Sequence, residues 1–124
     1  MIAQELARDL RLQLLGLLPV GHRFPVPASE LAELLGCSER TVRGLVEDLI
    51  REDGYAIGSV CGEASGYFLI TTPEDLQAGA AHLVARARSL FTRVSALRRN
   101  AEGVLPEHRE FVQQVFAIED SADA

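Results

Sequence analysis

The chain contains no lysine and no tryptophan, one methionine and two cysteines, and aromatic residues make up only 6% of it. Each scarcity removes a class of function. Cys37 and Cys61 have neither metal-ligand nor redox-motif spacing. The first is expected to be a core residue and the second a loop thiol. His22, His82 and His108 are scattered, and no nucleophile–base pair, glycine-rich phosphate loop or metal cluster accompanies them. An enzyme, a cofactor, a bound metal and a small-molecule ligand are therefore not expected. No apolar run approaches the ~20 residues that span a bilayer. Leu12 to Val20 is too short and lacks the layout of a signal peptide, so no membrane association and a cytoplasmic location are expected. All twelve basic residues are arginine. A GC-rich genome explains this better than a selected preference for guanidinium chemistry.

What is present bounds the answer further. At 124 residues and 48% hydrophobic, the chain has the size of one domain with an appendage and can bury a core. Its net charge of −6 is unusual for a general nucleic-acid binder, which is normally basic. The charge is unevenly spread. Residues 21–70 hold four arginines and eight acids, for −4, whereas residues 71–101 hold five arginines and two acids, for +3.

The segment Ala28 to Glu47 carries a compact helix-turn-helix pattern. Two helices that meet at roughly 90–120° across a short turn need small or apolar residues where they touch. Ala32 is small at the expected crossing, and Gly36 can take the positive φ that ends the first helix. Cys37 sits inside the turn, and Ser38 is a strong N-cap for the second helix. Val42, Leu45, Val46 and Leu49 then share one helical face, which leaves Arg40, Arg43, Glu47 and Arg51 on the other.

Around this motif the spacing predicts a first helix over 3–18, with Leu6, Leu10, Leu14 and Leu17 or Leu18 on one face. Pro19 and Gly21 stop it. Phe24-Pro25-Val26 reads as a proline-bounded edge strand. Asp53-Gly54 makes a turn, and Tyr55 to Val60 and Gly66 to Ile70 form a hairpin about a Cys61–Ser65 loop. The order helix, strand, helix, helix, strand, strand is that of a winged helix, with the hairpin as wing.

On Leu31-Ala32-Glu33-Leu34-Leu35-Gly36, Ser38-Glu39-Arg40-Thr41-Val42, Gly54-Tyr55-Ala56-Ile57 and Gly66-Tyr67-Phe68-Leu69, the chain resembles a winged helix-turn-helix family. That family includes the N-terminal operator-binding domain of biotin-operon repressors. The resemblance covers about one-third of the chain and implies that the Gly66-Tyr67 pair closes the wing. Small phage and prophage winged-helix proteins are similar in the glycine-tyrosine wing and in a Thr-Pro-acid-acid-Leu start to a long helix, here Thr72 to Leu76. Both resemblances imply DNA binding.

Thr72 as N-cap, Pro73 at the first helical position and Glu74-Asp75 behind it make a strong helix start. Leu76, Ala80, Leu83, Ala87, Leu90, Val94, Leu97, Ala101 and Val104 then alternate at steps of four and three, the spacing of a coiled coil. Val84 and Phe91 widen the stripe. The residues expected to form a homodimer are Leu76, Leu83, Ala87, Leu90, Val94 and Leu97; the alternative is a long helix folded back on its own domain. Of the helix arginines, Arg86 and Arg93 would share one flanking position of a parallel pair with no acid opposite. Parallel and antiparallel pairing both remain open. After Gly103 and Pro106, Phe111, Val112, Val115 and Phe116 mark a short helix, and residues 119–124 an acidic, disordered tail.

The expected fold is therefore mainly α with a small β-hairpin. A winged helix-turn-helix domain (1–71) is followed by a long, coiled-coil-like dimerisation helix (72–104), a short helix (105–118) and the tail (119–124). The expected function is a homodimer that binds double-stranded DNA sequence-specifically, as a transcriptional regulator or a phage or prophage replication accessory factor. The N-terminal part of the second motif helix enters the major groove in such proteins. Ser38, Arg40, Thr41, Arg43, Gly44 and Glu47 are the residues placed there. Arg40 and Arg43 are suited to guanine O6 and N7, and Thr41 to phosphate. Glu39 has a structural reason to be at a helix start. Gly44 costs about 1 kcal/mol inside a helix relative to Ala, which a close approach of DNA backbone or another helix would explain. The wing tip, Cys61-Gly62-Glu63-Ala64-Ser65, has no positive charge and one negative, which argues against phosphate contact there. With so few phosphate ligands one subunit binds weakly, and two recognition helices on one DNA face stand about 34 Å apart. The competing function is a protein-interaction module whose acidic surface takes a basic partner.

Overall fold

The computed structural model describes residues 2–63 and 65–117; the expected tail at 119–124 lies outside them. The elements are α1 (Ile2–Leu17), α2 (Ala28–Leu35), α3 (Glu39–Arg51), β1 (Ile57–Val60), β2 (Gly66–Leu69), α4 (Pro73–Val104), a 3-10 turn (Pro106–His108) and α5 (Arg109–Val115). They fall into a first unit that runs to His82 and a second that starts at Leu83.

In the first unit α1, α2 and α3 pack on one another around Leu14, Leu31, Val42 and Leu49, all of them at most 1% exposed, with Leu18, Leu45, Val46 and Ile57 beside them. The turn of the motif forms as its residues dictate. Gly36 ends α2 at φ 67°, and its amide and that of Cys37 return to the carbonyls of Glu33 and Ala32. Cys37 packs against the core, whereas Cys61 is exposed. The core meets α1 from Leu10 onward, so Leu6 is 59% exposed; of the two leucines at the other end, Leu18 is buried and Leu17 is 38% exposed. One expectation needs correction. Phe24-Pro25-Val26 is not a strand: Val26 alone forms an antiparallel bridge, to Tyr67. Pro25 and Pro27 flank it and have no N–H to extend a ladder.

β1 and β2 pair antiparallel, with Ile57 opposite Leu69 and Val60 opposite Gly66. Gly66 is required where it stands, because a Cβ would lie 2.5 Å from the Val26 carbonyl carbon. Ile57, Tyr67 and Leu69 join the helical core. Gly58 and the fully buried Phe68 turn to the start of α4. There the two backbones almost touch: a Cβ on Gly79 would lie 2.7 Å from the Gly58 Cα, with the Phe68 ring beside it at 3.0 Å.

A buried carboxylate holds the same turn of α4. Thr72 Oγ1 accepts from the Asp75 amide at 3.1 Å, as an N-cap should. Asp75, 3% exposed, accepts from the His22 amide (3.1 Å) and Nδ1 (2.6 Å) and from the Thr71 amide (3.1 Å) and hydroxyl (3.2 Å). The His22 side chain, then the Thr71 amide, holds the Asp75 carboxyl well below the usual carboxylate range, against the opposing effect of burial. A carboxyl whose pKa is depressed by folding contributes stability that is complete above its unfolded pKa and is lost as the pH falls below it. In urea titrations, wild-type stability should therefore fall as the pH drops below the ordinary value of 3.8. Asp75→Asn should be less stable at neutral pH and show a shallower acid slope.

In the second unit Val112 of α5 is buried, at 3% exposed. Phe111 and Val115 remain 60% and 58% exposed.

Candidate nucleic-acid interface

The exposed face of α3 is set by the face it buries. Val42, Leu45, Val46 and Leu49 point into the core, so the helical period turns Glu39, Arg40, Arg43, Gly44, Glu47 and Arg51 outward together, and all six are exposed. Ser38 caps the helix: its Oγ accepts from the Thr41 amide at 3.1 Å and bonds the Thr41 hydroxyl at 2.9 Å. Both hydroxyls are thus used to order the first turn, and each keeps an exposed edge.

The charges on this face are largely paired. Arg43 lies 3.8 Å from Glu39 and Arg51 lies 3.2 Å from Glu47, both across i,i+4. Arg40 makes no ion pair among the described residues. Exposed pairs of this kind are worth only about 0.2–1 kcal/mol, so an approaching phosphate or guanine can take the guanidinium from the glutamate at small cost. Glu39 and Glu47 hold Arg43 and Arg51 along the helix surface in the absence of a ligand.

Tyr67 of β2 packs half-buried against the core. Burial raises its phenol above the ordinary value, and the charge of Arg43 pulls it back. Arg43 and Tyr67 are thus electrostatic neighbours from α3 and β2. At the wing tip Glu63 is exposed, and the only charge there is negative.

Among the described residues no group of three or more His, Cys, Asp and Glu could hold a metal ion, and no helix is long and apolar enough to cross a membrane. The residues expected to dimerise lie on α4, away from these side chains in sequence. Leu76, Leu83, Leu90 and Leu97 are 55%, 52%, 54% and 56% exposed; Ala87 is exposed and Val94 half-buried.

A Cβ at Gly44 would meet nothing within 4 Å. The fold therefore does not need this glycine, although it costs helix stability. Gly44→Ala should raise stability by about 0.5–1 kcal/mol in urea unfolding; an unchanged or lower value would show that the backbone is strained at this position.

Residues 10–68 match the family model of an HTH domain. The match begins within α1 and takes in α2, α3 and both strands of the hairpin, the composition of a winged helix-turn-helix. No curated protein and no solved structure matches the chain. The chain is mainly helical with a two-stranded antiparallel sheet. It carries an HTH domain followed by a long helix, and that domain supports a DNA-binding regulator in general terms.

Proposed function

We propose that the protein is a homodimeric, sequence-specific binder of double-stranded DNA that regulates transcription or assists phage or prophage replication. Each copy offers one α3 to the major groove, and α4 joins the copies. The observation that carries this reading is the outward face of α3 within an HTH domain: two arginines, Arg40 and Arg43, one turn from the capped start of the helix, beside a glycine with open space over it. The N-terminal turns of such a helix read base edges. Arg40 and Arg43 are the base readers, Ser38 and Thr41 lie at the helix start where phosphate passes, and Gly44 lets the DNA approach closely. Glu47 orients Arg51.

The exposed leucines of α4 supply the second half of the reading. A face with so few unpaired cations neutralises few phosphates, and affinity rises when a second face is tethered to the first. The acidic balance of residues 21–70 favours a second reading, a basic protein partner on the winged domain.

Enrichment of duplexes from a random library on the immobilised protein tests the first reading. A single motif should emerge, and Arg40→Ala and Arg43→Ala should each weaken binding to it by about 1–3 kcal/mol. Failure to enrich any duplex, or full affinity in both variants, would favour the protein partner.

A further inference from the structure

The two directions in which α4 could pair with a second copy of itself are distinguished by the sizes of the side chains along its stripe. We infer that the copies pair antiparallel, in the register that overlays the full helix on its own reverse. The inference rests on the homodimer proposed above.

The stripe alternates large and small residues. Leu76, Leu83, Leu90 and Leu97 alternate with Ala80, Ala87, Val94 and Ala101. A parallel pair in register stacks each residue on its own copy, so leucine meets leucine in one layer and alanine meets alanine in the next. The leucine layers would then hold the axes apart and leave gaps at the alanine layers, where interiors require close packing. Reversal removes the mismatch. With Ala87 opposite Leu90 of the second copy, Leu83 falls opposite Val94. The same register carries outward to Ala80 opposite Leu97 and Leu76 opposite Ala101. Each of these layers then combines one leucine with one smaller residue. Pro73 falls opposite Val104, so the helices overlap from end to end.

The flanks agree on the apolar side. Val84 and Phe91, 45% and 38% exposed, become neighbours across an antiparallel seam, whereas a parallel one sets Phe91 against Arg86. Charge does not choose: reversal brings Arg86 near Arg93 of the other copy, and a parallel pair brings Arg93 near Arg98. Seven apolar side chains of α4, Leu76, Leu83, Val84, Leu90, Phe91, Leu97 and Val104, are each at least 38% exposed, surface that a second copy would cover.

The exposed leucines of the stripe, whose smaller members Ala80, Val94 and Ala101 are half-buried, are separate from the residues that dock on the wing. Asp75 and Gly79 are the buried residues of α4, and the exposed Leu76 and Leu83 lie off their face.

Disulfide trapping in the full-length chain tests the direction. In a Cys37→Ala/Cys61→Ser background, Leu83→Cys and Val94→Cys are made separately, and light scattering first establishes the mass of each. Both should be dimers. Under mild oxidation neither variant alone should give a covalent dimer, because positions 83 lie about 16 Å apart along the axis in the antiparallel register, beyond disulfide reach. An equal mixture of the two, unfolded and refolded together, should give one. A covalent dimer from either variant alone would establish the parallel direction and overturn the inference. So would a dimer by mass that yields no covalent product in the mixture. A monomer by mass, in the variants and in the wild-type chain, would overturn the dimer itself.

Discussion

The Asp75 carboxylate is the constraint from which the placement of α4 follows. It takes its hydrogen bonds from His22 in the loop after α1 and from Thr71 in the loop after β2. A buried carboxylate is tolerated only with such partners, because an unpaired one would be strongly penalised. One turn later Gly79 meets Gly58 backbone to backbone. Together these contacts decide which side of α4 faces the wing. A polar residue and a glycine are spent on that contact, and the leucines are left for something else.

The recognition face shows a second economy of charge. Arg43 and Arg51 lie against glutamates of their own helix, so the free protein presents a nearly neutral surface at α3 within an acidic domain. A polyanion competes weakly with those pairs when contacts are few and strongly when many are made at once. Under the function proposed above, such a face would have little grip on arbitrary DNA and would depend on base contacts and on a second copy for affinity. The scarcity of cations at the wing tip points the same way.

Much of this was legible in the sequence. Gly36, Ser38, Thr72 and Pro73 fixed the ends of α2, α3 and α4, because capping is local chemistry that needs no tertiary information. The hydrophobic period of α3 likewise determined its outward face. Three features were not legible. The bridge at Val26 reads as a strand in the sequence, because period-2 patterning does not register that flanking prolines remove the donors. The exposure of Leu6 is not legible because spacing shows a face and not how far the neighbouring helices reach along it. The docking face of α4 was missed since apolar periodicity gives weight to leucine and none to Asp75 or Gly79.

The central claim is that two weakly charged recognition faces act as one site because α4 couples them. The direct measurement is the affinity of the wild-type protein for duplexes that carry one or two copies of the selected half-site, at one salt concentration. Two half-sites one helical turn apart should be bound at least about 100-fold more tightly than one, with two chains per duplex. Equal affinity for both duplexes, with one chain bound at each half-site independently, would contradict the account.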